Sequence, residues 1–550
     1  MRVIRYTDEM VEEFRKNNYW TDETFYDFWN YNAKKYKNRE ALVDSKYRFT
    51  WGEAKELVDS IATHFIESGL EKDDRIIIQT PNTVFGMLAR IAAERAGLIS
   101  LTVYPYMRHR ELDYMIERTE AKAVVIPHIY RKHNYVEMFQ ELNEKHKSIK
   151  YFYLLEEEVP KNFGSNFFSI IEIAKAKKTL PEEKFQKRRF NPFTDVALLT
   201  STTGTTGIPK LVEWPIAPRL CTSKGRIDLW YLTKNDIVCA IAPHAGGAAG
   251  TLVYFAAPLV GAKIVLLEEF TPEGALELME KEKVTAIGVV PTHLIRMLEK
   301  EVEKYDLYNL RFIRSAGGYL PPDVALEAEE RLGGIITSDL GTQDVGSISG
   351  CKVSDPPEIR RRTVGRPLPG NVVKILDDNG NEVPEGEVGE LWFRGPHSPA
   401  GYYRDIETTM TVFREDGWTT TGDLVKWERG VLWIMGRKKD MIIRGGQNIY
   451  PAEIEGLLND HPKIKAVAIV GYPDKEMGER CCACVVLKDG VDTITLEEIN
   501  EYLLKNKLAK FKLPERLEIF EQLPTVGDSG KINKRELKEI IKEKVTGGSK

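Results

Sequence analysis

Short apolar runs that alternate with helical stretches constrain this chain more than any other feature. RIIIQTPN, GLISLTVYP and KAVVIP, then DIVCAIAP, AKIVLLEEF, VTAIGVVP and LRFIRSAGG, read as strands with helices between them. One intervening stretch, WGEAKELVDSIATHFIESGL, is helical with a stop at Gly69. Such alternation predicts an α/β fold of parallel sheets covered by helices. Several runs end in proline or a glycine pair, and ligands in folds of this kind sit beyond the carboxyl ends of the strands. Near residue 364 the pattern shifts. VVKILDDNGNEVPEGEVGELWFRG predicts two strands about an Asn-Gly turn, and a second β-rich unit runs through GVLWIMGRKKDMIIRGG. Beyond it, PAEIEGLLNDHP, AVAIVGYP, CCACVVLKDG and TLEEINEYLLKNKL form a compact α+β pattern. The boundary is expected at GRKKD, giving a large unit over 1–436, a joint at 437–440 and a small unit over 441–550.

A chain of 550 residues is too long for one core, in agreement with that division. Net charge is −5, evenly spread, with no basic stripe carrying interleaved aromatics, which argues against a nucleic-acid partner. The N-terminus has no apolar leader region. Residues 237–262 lack Asp, Glu, Lys and Arg and are long enough to span a bilayer. They also hold Pro243, Pro258, His244 and several glycines, a mix that reads as buried strand, loop and helix and not as a membrane segment. Six cysteines are scattered, and Cys481 and Cys484 have a C-x-x-C spacing without a second ligand pair. They are expected to be small buried hydrophobes. Reduced thiols suggest the cytoplasm.

STTGTTGIPK, residues 201–210, follows the run VALLT with five hydroxyl side chains and two glycines before its proline and lysine. Such residues make poor helices and strands. A loop that wraps an anion in backbone N–H groups and hydroxyls, with a lysine to balance charge, accounts for them. A flexible surface linker is the plain alternative.

Together with APH, SAGG, LGTQD, GELWFRGP, DGWTTTGD, GRKKDMIIRGGQNIYPAEIE and GDSGKINKREL, this loop makes eight motifs in order between Thr200 and Leu537. The chain thereby resembles the adenylate-forming superfamily of acyl-CoA synthetases, adenylation domains and luciferases. The resemblance implies a large N-terminal adenylation domain of parallel-rich αβ sheets plus a small β-barrel-like part. A hinge would join it to a small, mobile α+β lid. It further implies activation of a carboxylic acid by ATP, giving an acyl-adenylate and pyrophosphate, then transfer to a thiol. Both first reactants are anions, so a site for them must offset repulsion while holding them in line.

By that resemblance Thr202, Thr203, Gly204, Thr205, Thr206 and Gly207 grip the ATP phosphates and Lys210 closes the loop. Gly317, Gly318 and Tyr319 border adenine, as do Leu340, Gly341, Thr342 and Gln343. Asp344 helps hold Mg²⁺, which favours hard oxygen ligands. Asp423 accepts from the ribose hydroxyls and Arg437 reaches the same nucleotide. Lys531 bridges the acid and the α-phosphate; the plain alternative is the first charge of a solvated basic helix. Lys439 is the hinge, and Gly445 and Gly446 line a tunnel for coenzyme A, or form a simple turn. His244, Ala245, Gly246 and Gly247 border the acid pocket, with a hydrogen-bonded core histidine as the alternative for His244.

LGTQD departs from the family pattern, which has tyrosine and glutamate where Leu340 and Asp344 stand. Leucine stacks less well on adenine and aspartate is one methylene shorter, so weaker ATP binding is expected. The Gly- and Ala-rich run after His244 offers no polar side chain to read a ring hydroxyl, so an apolar pocket is expected. Short- to medium-chain fatty acyl-CoA synthetases are the nearest in pattern. Aryl- or cyclic-acid enzymes that use a carrier protein or CoA, and a catalytically weak nucleotide-binding homologue, are the alternatives. A homodimer is left open.

Overall fold

The computed structural model describes residues 5–202, 210–318, 320–445, 447–525 and 532–547. The expected alternation builds two large sheets. The first runs from Phe167–Ser169 through Tyr151–Leu154, Ala123–Ile126, Arg75–Ile78 and Ile99–Thr102 to Leu198–Ser201, all parallel neighbours. Leu211–Trp214 and Gly401–Tyr402 extend it antiparallel. In the second, Glu40–Val43, Lys263–Leu266, Ile237–Ala240, Ala286–Val289, Phe312–Ser315 and Ile335–Thr342 are parallel in that order. Strands such as Ala123–Ile126 and Ala286–Val289 are buried at every residue. Helices cover both of their faces, which is why they read as unbroken apolar runs.

Local signals place the helix ends. Thr50 caps the helix Trp51–Glu67 by accepting from the Glu53 amide, while the Glu53 carboxylate returns the bond to the Thr50 amide. Just past its end, Gly69 adopts φ +90°, as expected of the stop. Residues 237–262 form the strand Ile237–Ala240, a turn, and helical segments from Gly247 to Val260. Among the described residues no helix is long and apolar enough to cross a membrane.

The β-rich part is an antiparallel sheet of Val372–Leu376, Val388–Arg394, Thr419–Glu428 and Val431–Arg437. The two strands expected about the Asn-Gly turn are antiparallel partners, Val372–Leu376 with Val388–Arg394, but their connection is longer than a tight turn. The Asn379–Gly380 turn does not join the two strands directly: it returns the chain only to a bridge between Leu376 and Glu382. A further turn at Gly386 precedes the second strand. The Asp377 carboxylate accepts from the amides of Asn379 and Asn381, so the local turn chemistry was read correctly but its reach was not.

From Ile442 onward the strands form their own sheet: Ile442–Arg444, Gln447–Ile449, Ile464–Asp474, Gly478–Leu487 and Arg516–Ile519. Alternation along Gly478–Leu487 sends Cys481 into one apolar cluster with Ile454 and Leu503. It sends Cys482 and Cys484 to the opposite face, with Leu537 and Ile541. Cys481 and Cys484 therefore point away from each other and cannot share a metal ion. All six thiols are buried. Burial pushes Cys351 up to about 11 and Cys221 and Cys239 up to about 12. In native protein at pH 8, none should react with an aromatic disulfide reagent on the minute scale, and all six should react at once in denaturant. Fast labelling of even one thiol in the folded protein would contradict this packing.

Candidate active site

The sequence-selected positions gather beyond the carboxyl ends of the parallel strands. Thr202 follows Leu198–Ser201, His244 follows Ile237–Ala240, Gly317 and Gly318 follow Phe312–Ser315, and Gln343 and Asp344 follow Ile335–Thr342. Thr203, Gly204, Thr205, Thr206, Gly207, Tyr319, Gly446 and Lys531 lie outside the described residues. At the base of the Thr-rich segment, the Thr202 amide donates to the Lys210 carbonyl at 2.9 Å and the Lys210 amide to the Thr202 hydroxyl at 3.2 Å. The antiparallel register of Ser201 with Leu211 holds these two ends together.

One group of side chains surrounds Asp344. The Lys210 ammonium lies 4.7 Å from the centre of the Tyr402 ring, and the Tyr402 hydroxyl donates to Asp344 Oδ2 at 3.3 Å. Asp423 and Arg437 are register partners on adjacent strands, and Arg437 Nε sits 3.0 Å from Asp423 Oδ1. Lys439, in the single turn Lys438–Asp440, is exposed. Desolvation of its ammonium and Arg437 lower its pKa, while Asp440, Asp423 and Asp344 pull it back up. Asp344, Asp423, Arg437 and Lys439 thus feel one another's fields, and Tyr402 ties Lys210 to them. Tyr402 was not singled out from sequence; nothing in GYYRD marks it.

Gly317 needs its φ of +88°, a conformation other residues adopt at a cost. A Cβ at Gly318 would meet Pro291 at an ordinary 3.6 Å. Leu340 packs its side chain on an apolar cluster with Leu198, Trp214 and Val345. Gly445 occupies the turn between Ile442–Arg444 and Gln447–Ile449 at φ +56°, so a turn alone accounts for that glycine.

The second part of the site is a cavity that includes His244, Ala245, Gly246, Gly247 and Gln343. Asn82 fixes the chain here, accepting from the His244 amide at 2.8 Å and donating to the carbonyls of Ala240 and Ala242. Burial pushes the His244 imidazole down to about 4, so the ring is neutral at physiological pH. Its Nε2 lies 3.1 Å from the Pro81 carbonyl. The Arg314 guanidinium holds the start of the next helix, donating to the Gly247 carbonyl at 2.6 Å while paired with Asp339 at 2.8 Å.

The wall of this cavity corrects the expectation of an apolar pocket. Arg90 comes from the helix Val84–Arg95 and Arg219 from the helix Ile216–Trp230, and Tyr254 and Phe255 come from the π-helical segment Thr251–Ala256. The Arg90 guanidinium carbon lies 4.5 Å and 4.4 Å from the ring centres of Tyr254 and Phe255. That of Arg219 lies 3.5 Å from Trp214 and 5.1 Å from Phe255. The Gly- and Ala-rich run could not reveal residues contributed by distant helices. A signal did exist: Arg90 interrupts VFGMLARIAA, a helix otherwise apolar on every side.

The fold and the grouping of these residues can now be set beside known proteins. The family model for AMP-binding enzymes matches residues 29–403, and the model for the C-terminal domain of AMP-binding enzymes matches residues 453–531. The chain belongs to the AMP-binding enzyme family. It is an adenylate-forming, ATP-dependent acid ligase of the AMP-forming type. A 2,3-dihydroxybenzoate-AMP ligase of Bacillus subtilis is 30% identical over 99% of this chain and 98% of that one. A medium-chain fatty-acid–CoA ligase of Escherichia coli is also 30% identical, over 99% and 95%. The apo structure of MbtA from Mycobacterium smegmatis superposes with a TM-score of 0.71 at 28% identity, covering 98% of both chains. Equal identity to an aryl-acid and a fatty-acid enzyme leaves the acid undecided among relatives.

In this AMP-binding enzyme the helix that opens the acid cavity leans on the strand Ala286–Val289. A Cβ at Gly288 would fall 2.6 Å from the Ala248 carbonyl oxygen and 2.9 Å from the Ala249 Cα. Both are backbone atoms, so the helix start itself must shift. Gly288→Ala is expected to lower stability by about 1–3 kcal/mol, read from the urea midpoint. It should also raise KM for the acid more than KM for ATP. An unchanged midpoint would mean that the helix start is not fixed against that strand.

Proposed function

We propose that this enzyme is an acid:CoA ligase that forms an acyl-adenylate and then an acyl-CoA thioester. The observation that carries the reading is the continuity of the two parts of the site. Gln343 lines the acid cavity, and the next residue, Asp344, faces Tyr402 and Lys210. An acid in the cavity would present its carboxylate to a nucleotide held by Thr202–Gly207, Lys210, Asp423 and Arg437. Asp423 would accept from the ribose hydroxyls with its two oxygens, and Arg437, across the strand pair, would keep that carboxylate ionised and oriented. Gly317, Gly318, Tyr319, Leu340, Gly341 and Thr342 would border the base. Lys531 would offset the charge that develops between carboxylate and α-phosphate. His244, neutral and fixed by Asn82, would close the mouth of the cavity without adding a charge.

Asp344 fits Mg²⁺. Among the described residues no cluster of three acidic, histidine or cysteine side chains exists that could hold an ion by itself. A single half-buried carboxylate suits an ion that takes its other ligands from phosphate and water. When bound, the ion would neutralise phosphate charge.

We further place the division of the chain at residues 1–436, 437–440 and 441–550, with Lys439 as the hinge and the last part as a lid. Support comes from the separate sheet that begins at Ile442 and from the short turn Lys438–Asp440 that precedes it. Rotation about that turn would exchange Lys531 for Gly445 and Gly446, beside which the CoA thiol would enter.

The test supplies the purified protein with Mg-ATP, CoA and acids from acetate to laurate, with benzoate, salicylate and cyclohexanecarboxylate. Mass spectrometry follows acyl-AMP and acyl-CoA separately. Acyl-CoA supports the ligase. Acyl-AMP without acyl-CoA moves the acceptor to a carrier protein, and the absence of both from every acid overturns the reading. Short- to medium-chain fatty acids, favoured by sequence pattern, form the reference series, although the arginines in the cavity do not suit a plain alkyl chain.

A further inference from the structure

Two cations line the acid cavity, and Glu94 acts on Arg90 through its field without pairing with it. Arg90 is 5% exposed, and what surface Arg219 retains faces the cavity. Among the described residues neither forms an ion pair. Several other buried arginines are matched by carboxylates: Arg95 pairs with Glu182 and Asp59, Arg226 and Arg314 with Asp339, and Arg360 with Glu329, while Arg5 donates to the carbonyls of Pro399 and Gly417. A buried charge left unpaired costs several kcal/mol, and two side by side repel as well. The aromatic faces of Trp214, Tyr254 and Phe255 offset part of that cost but supply no hydrogen-bond acceptor aimed at the guanidinium edges.

Among the described residues, four buried polar atoms on this one cavity wall have no hydrogen-bond partner: Arg90 Nη1, Arg219 Nε, Tyr254 Oη and His244 Nδ1. Buried polar groups in native proteins are normally satisfied by protein, water or ligand, so a cluster of exceptions points to a polar occupant of the cavity. The nearest carboxylate to Arg90 along its own helix is Glu94, one turn away. Its carboxyl is pushed up to about 7 by burial and accepts from the Tyr26 amide instead. Burial and the neighbouring Arg90 lower Arg219 to about 9, which still leaves it cationic at neutral pH.

We propose that the acid activated by this enzyme carries a second carboxylate, held inside the cavity by Arg90 and Arg219 with a hydrogen bond from the Tyr254 hydroxyl. The inference rests on the acid-ligase reading above and names its substrate class. A carboxylate matches the planar fork of a guanidinium, which a point anion does not. The remote carboxylate anchors the molecule, and the other end is presented past Gln343 to the nucleotide. A cavity built this way rejects the acid that lacks the second anion, because the arginines would again be left unpaired.

The test uses the full-length enzyme with Mg-ATP and CoA. Diacids from malonate to adipate, and the three benzenedicarboxylates, are each matched with the monoacid of the same skeleton. At least one diacid should exceed its monoacid partner about 100-fold in kcat/KM. Arg219→Met and Arg90→Met should each remove most of that preference, read as the ratio of diacid to monoacid kcat/KM within each variant, and Arg219→Lys should restore part of it. Calorimetry on unmodified enzyme without nucleotide or CoA is the companion measurement, since it depends on neither turnover nor a variant's folding. The diacid should bind, and its monoacid, chloride and phosphate should not compete at equal concentration. Acyl-CoA formed from monoacids in preference to every diacid would overturn the inference and leave the ligase standing. If no acid is turned over, the ligase reading fails and calorimetry decides this inference alone. Diacid binding that weakens in Arg219→Met upholds it. No diacid binding, or equal binding by chloride, overturns it.

Discussion

Lys531→Ala lowers acyl-adenylate formation about 100- to 1,000-fold, the usual cost of removing one group that stabilises developing charge. The effect is specific to the first half-reaction. The acid oxygen attacks phosphorus, and negative charge accumulates between two groups that already repel. In the role proposed for it, Lys531 would stabilise the transition state more than either reactant, so kcat should fall with little change in either KM. In the second half-reaction a thiol attacks a carbonyl and AMP leaves, and that step does not place charge at the same point. Supplying synthetic acyl-adenylate and CoA to the variant should therefore give acyl-CoA at a rate within about threefold of the parent. Pyrophosphate exchange measures the first step and acyl-CoA formation measures the second. Equal loss in both would make Lys531 a structural residue, and no loss in either would return it to the first charge of the helix that begins at Lys534.

Asp423→Ala is expected to raise KM for ATP about 100-fold, because in the proposed role two hydrogen bonds from the ribose to an ionised acceptor would be lost together. Asp423 is nearly buried and its Oδ1 is 3.0 Å from Arg437 Nε. Truncation thus also strips Arg437 of its partner, although Arg437 is partly open to solvent and that part of the penalty is screened. Asp423→Asn separates the two contributions. It keeps the shape but removes the charge, so about a tenfold rise in KM is expected with an almost unchanged urea midpoint. ATP lacking the 2′- or 3′-hydroxyl adds a direct check: the parent discriminates against both analogues and the alanine variant does not. Retained discrimination would place the ribose elsewhere.

Much of the fold was legible because buried parallel strands are local signals. AVVI and AIGV announce themselves without reference to anything distant. The segments proposed for the nucleotide stood out in the sequence for a similar reason, since LGTQD and TTTGD are short and end strands or lie in them. The acid side was not. Its wall is assembled from residues 90, 219, 254 and 343, which adjoin only after both sheets have formed. The two strands either side of Asn379 pair as the sequence suggested, and only the length of their connection was missed. Tyr402 belongs to the same class as the arginines, being brought to Lys210 by an edge strand.

Asp339 and Arg314 bear on both ligands at once. Their ion pair braces the strand that leads to Gln343 and Asp344, and through Arg314 it also grips the Gly247 carbonyl at the lip of the acid cavity. If the nucleotide and the acid bind as proposed, both would lean on this one brace. Any tightening of the brace by nucleotide is felt by the acid, and reciprocity requires the acid to change nucleotide affinity by the same factor. Order of addition in this enzyme then becomes a matter of concentrations. Cells rich in ATP would hold the brace set, and the arrival of the acid would be the event that the enzyme counts.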